Sequence, residues 1–209
     1  MGHWPACALA LLALAMGGGG CGGGSGSGGR PQAQVENAIV GRIEWPAALG
    51  AVSGVEVRVR GLSTGQGATG DTLATGTVDA AAGTYRVGGF RVDRLVMVEA
   101  LGSTPAGRSV RLGAVVLPAQ SPGRQEVQAD IGGATTLACE AVQQLLRGGA
   151  AAPTITPGVV SNLQAATAHV ADSVDFSDYT SISDMARAAL VATGNGATAA
   201  AGSATGTIQ

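Results

Sequence analysis

Lysine is absent from this chain: all twelve basic side chains are arginines, set against fourteen carboxylates for a net charge of −2. Without lysine there is no P-loop, and without a basic stripe there is nothing for a nucleic-acid backbone to follow, so no nucleic-acid partner is expected. Charged residues are only 12% of the chain, against the ~25% usual in globular domains. Aromatics are 3%, so any core must be built from Val, Leu, Ile and Ala. Histidine occurs twice, as His3 and His169. A catalytic zinc takes about three converging ligands, and a Ser-His-Asp triad needs a base beside its serine. His169 alone assembles neither, and no G-x-S-x-G elbow is present. Of the three cysteines, Cys7 and Cys21 lie near the start and Cys139 stands alone, which excludes a disulfide framework. The apolar stretch Ala6–Met16 is shorter than the ~20 residues a bilayer-spanning helix needs.

That apolar stretch does match the h-region of a secretory signal peptide. It is followed by Gly17–Gly20, Cys21 and a Gly/Ser run to Gly29, a composition that makes a flexible tether. A cysteine in this position resembles that of a bacterial lipoprotein precursor, in which the peptide is cut away and the new N-terminal cysteine carries the lipid. The resemblance implies lipidation at Cys21 and a location outside the cytoplasm, held to the outer membrane or the cell surface. The pattern departs from the usual one in having Gly18 where Leu is common and only His3 and the α-amino group as positive charges. Ala13-Leu14-Ala15 offers a competing cleavage site that would release a soluble protein.

From Ile39 to Ile131 the sequence reads as short strands broken by Gly, Ser, Thr and Asp. Val55-Glu56-Val57-Arg58-Val59-Arg60 alternates strictly, the mark of a half-buried strand, and Glu126–Ile131 repeats it. Val110, Leu112, Ala114 and Val116 share one face, while Leu95-Val96-Met97-Val98 is apolar on both. Strands near Val40, 73–78 and 85–87 bring the count to about seven. Their spacing predicts a mainly β fold, a seven-stranded antiparallel sandwich, Ig-like in kind.

These strands resemble the carboxypeptidase regulatory-like family, the transthyretin-like domain of bacterial surface proteins. The matching residues are Gly41-Arg42-Ile43, Gly54-Val55-Glu56-Val57-Arg58-Val59, the Thr-rich segment ending in Asp79, Gly83-Thr84-Tyr85, and Val96-Met97-Val98-Glu99-Ala100. The three alanines between Asp79 and Gly83 lengthen the family's turn by one residue. Within it Asp79 can accept backbone amides and Gly83 can take a positive φ. The resemblance implies a prealbumin-like form of that sandwich, serving as a spacer or binding module, not the zinc catalytic domain that shares the family's name.

After Ile131 the period changes. Leu137, Ala138, Ala141, Val142, Leu145 and Leu146 form a helical stripe ending at Gly148-Gly149, with Thr135 or Thr136 to cap it. A second helix starts at Thr156-Pro157, with stripe Val159, Leu163, Ala166, Val170 and Val174. A third follows a Ser181 cap, with Asp184 in its first turn and Met185, Ala188, Ala189 and Val191 on its apolar face, stopping at Gly194. The resulting organisation is a signal peptide at 1–20, a lipidated tether at 21–34, the β domain at 35–132, a small helical segment at 133–194 and a disordered tail at 195–209.

Within that body the chemistry is sparse. Cys139 reads as a small buried hydrophobe on a helix. His169 and Asp172 read as a solvated surface pair. The acidic set Asp172, Asp175, Asp178 and Asp184 lacks the alternate spacing of a calcium loop. Arg58 and Arg60, with Arg86 and Arg91, read as outward charges that guard strand edges. No catalytic, metal or cofactor residue is assigned. The chain is expected to be a non-enzymatic surface lipoprotein that presents its β module to an envelope protein or glycan, through loops 61–71 and 102–108. The alternative is a soluble secreted accessory of an enzyme system acting on cell-wall polymers or polysaccharides.

Overall fold

The computed structural model describes residues 37–90, 92–118 and 126–195. The expected signal peptide, Cys21, the tether, Arg91 and the tail from residue 196 lie outside the described residues. Seven strands form: β1 (Asn37–Arg42), β2 (Ser53–Ser63), β3 (Gly67–Asp79), β4 (Thr84–Phe90), β5 (Val96–Ser103), β6 (Ser109–Val116) and β7 (Glu126–Gln128). Three helices follow: α1 (Gly133–Arg147), α2 (Pro157–Ala168) and α3 (Tyr179–Ala192).

The chain is thus mainly β with C-terminal helices, but the strand arrangement corrects the expectation. All seven strands share one hydrogen-bonded order, β6-β5-β2-β3-β4-β1-β7, in place of two facing antiparallel sheets. The last pair, β1 with β7, is parallel. Alternation of valine and charge fixes which face a residue takes, and carries no information on strand direction. The sheet curls because long β3 changes partner along its length. Residues 67–76 pair with β2, and Thr77–Asp79 pair with β4. Ile39 of β1 and Leu112 of β6, five places apart in the order, therefore meet in one core with Val57, Val59, Val87 and Val98.

The outer face of β2, β5 and β6 is covered by α1. This helix is buried on nearly every side, and its apolar residues pack with Leu62, Leu95 and Met97. Fully burying a leucine such as Leu137 or Leu146 contributes about 1.5–3 kcal/mol. The Thr167 hydroxyl of α2 donates to the carbonyl of Ala134 at 3.0 Å, and Gln144 Nε2 donates to the carbonyl of Ser183 on α3 at 2.9 Å. α1 is therefore clasped from both sides.

The turn after β3 works as its residues dictate. Asp79 Oδ1 accepts from the amides of Ala81 and Ala82 at 3.0 and 3.1 Å, and Gly83 takes φ +63°. The Tyr85 ring is buried and its hydroxyl donates to the Ala129 carbonyl.

Helix phasing differs from expectation in two places. α3 is capped by Asp178, whose carboxylate accepts from the Thr180 amide at 2.9 Å, and not by Ser181. Starting there rotates the buried stripe to Ile182, Ala186, Ala189 and Leu190, which leaves Val191 67% exposed. α2 ends at Ala168, so buried Val174 lies in the connector beyond the helix. The segment 61–71, expected as a long loop, is the end of the β2–β3 hairpin. Its turn is tied down, with the Gly65 amide donating to the Leu146 carbonyl at 2.6 Å and the Ala152 amide to Thr64 Oγ1 at 3.0 Å.

Candidate functional site

Two concavities sit side by side, divided by Phe176 and Ser177. The larger is an open groove of about 570 Å³. Its walls are the turn after β1 at Pro46 and Leu49, the β5–β6 turn at Pro105 and Arg108, and the α2–α3 connector at Asp172 and Asp175. The second expected contact loop, 102–108, does reach this groove. Thr104 closes it as a tight turn: its Oγ1 accepts from the Arg108 amide at 3.1 Å and its own amide donates to the Arg108 carbonyl at 2.9 Å. Arg108 Nη1 then donates to Ser177 Oγ at 3.0 Å, and Ser177 Oγ donates to Asp175 at 2.6 Å. Those bonds from the Ser177 hydroxyl and amide, with Arg108 nearby, hold the Asp175 carboxyl below its ordinary value.

The smaller concavity is a half-enclosed cavity of about 190 Å³ between the outer face of β5 and β6 and the helices α1 and α3. Gly113 faces α1 across the cavity, where an added methyl group would make ordinary van der Waals contact with Cys139 Sγ, 3.6 Å away. The Gly113 amide donates to Thr136 Oγ1 at 2.9 Å, which joins the sheet edge to the first turn of the helix. Thr136, Glu140, Gln143 and Arg147 follow at i, i+4, i+7 and i+11, a polar stripe along the helix. Glu140 is 3% exposed and accepts from Arg147 Nη2 at 2.5 Å and from the Tyr179 hydroxyl at 2.9 Å. Among the described residues Gln143 Nε2 finds only sulfur, Met97 Sδ at 3.5 Å and Cys139 Sγ at 3.8 Å. Sulfur is a weak acceptor.

Beside the cavity, Glu99 on β5 is 2% exposed and lies opposite Arg58 and Gly113 on the neighbouring strands. Arg60 Nη1 stands 3.8 Å from its Oε1, and Arg111 Nη1 stands 3.9 Å from its Oε2. Among the described residues Glu99 Oε2 has no hydrogen-bond partner. Arg111 lies over the Tyr179 ring, 6.0 Å from its centroid.

The residues singled out in the sequence fall apart as a set. Cys139 is buried in the middle of α1, and His169 is exposed at the end of α2 with no hydrogen bond or ion pair to Asp172. Asp178 serves as a helix cap, and Asp184 is exposed on α3. The arginines do not make a patch: Arg58 pairs with Glu56, Arg60 with Glu99, and Arg86, two strands away, with Glu126. Among the described residues no group of three or more His, Cys, Asp or Glu is placed to hold a metal. The stripe on α1 is the feature the sequence reading missed. Its helical spacing was visible, but polar residues at that spacing ordinarily mark a solvent face.

Burial pushes the Cys139 thiol up from 9.0 to about 12, with the Glu140 charge adding to the effect and Arg111 opposing it. Only the neutral thiol suits the fold, so this group contributes stability below its unfolded pKa. That contribution is lost as pH rises toward about 12, because the unfolded thiol ionises first. Urea melts of the full chain between pH 8 and pH 11 should show stability falling, and Cys139→Ala should flatten part of the slope. Equal slopes for the two proteins would sink this assignment.

No protein-family model matches the chain, and a search of the curated proteins returns no significant match.

Proposed function

We propose that this chain is an exported lipoprotein, anchored through Cys21, whose β domain of the carboxypeptidase regulatory-like kind acts as a non-enzymatic binding or spacer module at the cell envelope. The observation that carries the reading is the run of sequence from Ala6 to Gly29: an h-region, small residues, one cysteine and a Gly/Ser tether, placed before an ordered β domain that begins by Asn37. The Asp79, Gly83 and Tyr85 turn supports the kind of domain. The open groove at Leu49, Arg108 and Asp175 supports a partner-facing role, with paired charges on its rim and apolar Phe176 at its wall.

A catalytic reading has less support. Nucleophiles act as thiolates with a base beside them, whereas Cys139 is buried with its thiol pushed up to about 12 and His169 lies on another helix. The tether would let the domain sample a shell around the membrane while its groove stays rigid.

Cell fractionation in a bacterial host tests the anchor. Wild-type protein should sediment with membranes and leave them only in detergent, and Cys21→Ser should move to the soluble fraction. If both proteins are soluble, cleavage near Ala15 and soluble secretion become the reading.

A further inference from the structure

The geometry points to the cavity between β6, α1 and α3 as a binding site for a small carboxylate with a short apolar body. It stands on the cavity alone and is independent of the membrane anchor. Among the described residues around it, Arg60, Arg111 and Arg147 face two buried carboxylates, Glu99 and Glu140, which leaves one positive charge in excess. Arg147 is committed to Glu140 by a hydrogen bond, and Arg60 stands at Glu99. Arg60 and Arg111 share the single charge of Glu99, at 3.8 and 3.9 Å, and of the two it is Arg111 that lines the cavity. Its guanidinium, a planar set of five donors, makes no hydrogen bond among the described residues and lines the cavity mouth. Arginine of this kind takes a carboxylate with two parallel bonds.

Glu99 does not line the cavity, and Glu140, which does, is already paired with Arg147 and hydrogen-bonded by the Tyr179 hydroxyl. Behind the mouth the walls are Met97, Leu112, Phe176 and Ile182, which suit an alkyl or small ring body. The buried Gln143 amide, held only by two sulfurs, gains a better acceptor from a ligand oxygen or a bound water. The volume limits the guest. About 190 Å³ has room for about six waters and falls below the ~300–1,000 Å³ of sites for drug-sized molecules.

The test is a titration of the full-length chain, in mild detergent, with hexanoate, hexanamide and hexylamine, read from the backbone amide shifts of Gly113, Thr136 and Tyr179. Hexanoate should saturate these shifts and bind at least about tenfold more tightly than the other two. Arg111→Met should bring hexanoate down to the level of hexanamide, with the thermal midpoint of the variant checked alongside. If that variant does not fold, the comparison of three probes on the wild type still decides. Equal binding of hexanoate and hexanamide, tighter binding of hexylamine, or no saturable shift at these three amides would overturn the assignment.

Discussion

Gly41→Ala should cost the fold about 3 kcal/mol, whereas Gly113→Ala should cost less than about 1 kcal/mol. The two glycines sit in β-strands of the same sheet and differ in what a methyl group would meet. At Gly41 it would lie 2.1 Å from the Ala129 carbonyl oxygen and 2.7 Å from its carbon, both backbone atoms that cannot rotate away. Moving Ala129 breaks the hydrogen bond that its N–H donates to the Val40 carbonyl at 2.9 Å, and displaces the acceptor of the Tyr85 hydroxyl. The parallel β1–β7 ladder and the aromatic anchor of the curl would loosen together. At Gly113 the nearest atoms are 3.5–3.6 Å away, an ordinary van der Waals contact, and the residue has no positive φ. Gly76→Ala should behave as Gly41→Ala does, since its methyl would meet Val87 Cγ2 at 2.4 Å and the Arg86 carbonyl oxygen at 2.6 Å. Urea denaturation of the full-length variants measures all three. Similar midpoints for Gly41→Ala and Gly113→Ala would contradict the packing described.

Arg147→Met should be destabilising by about 3 kcal/mol, because it strands the buried Glu140 charge with one neutral partner. The arginine is 42% exposed at its side chain and would itself lose little; the cost falls on Glu140, 3% exposed, left with only the Tyr179 hydroxyl at 2.9 Å. Tyr179→Phe should cost about 1 kcal/mol, the net worth of one hydrogen bond. Pairing Arg147→Met with Glu140→Leu should restore most of the loss, since replacing both members of a buried pair by apolar groups is close to neutral. Thermal melts of the two single variants and the double variant supply the coupling energy. A double variant no more stable than Arg147→Met alone would show that the pair is not what the arginine supports.

Much of the architecture could be read from local pattern. The alternation at Val55–Arg60 put Val57 and Val59 in the core, and Val110, Leu112, Ala114 and Val116 marked the inner face of β6. Asp79 and Gly83 specified their turn through chemistry that needs no tertiary partner. Direction and closure were beyond reach for a physical reason. The parallel β1–β7 pair depends on where the chain returns after β6, and periodicity is blind to that. The segment from Gly61 to Asp71 looked like a loop because it is rich in glycine. It folds as a hairpin laid against α1, where a Cβ added at Gly67 would come 3.2 Å from the Gln143 carbonyl oxygen, an approach set by a helix far along the chain. The polar stripe of α1 has no mark of burial in its spacing, because its cover, α3 with Tyr179, is supplied by the tertiary fold. Of the groove, only the 102–108 turn and the acidic connector were anticipated, each separately.

The claim on which the functional account turns is acylation at Cys21, and the mass of the mature N-terminal peptide tests it most directly. Protein purified from membranes of a bacterial host, digested and analysed by mass spectrometry, should begin at Cys21 and carry fatty acyl groups on that residue. A mature chain that begins near Met16 with an unmodified Cys21, or one that retains Met1, would contradict it.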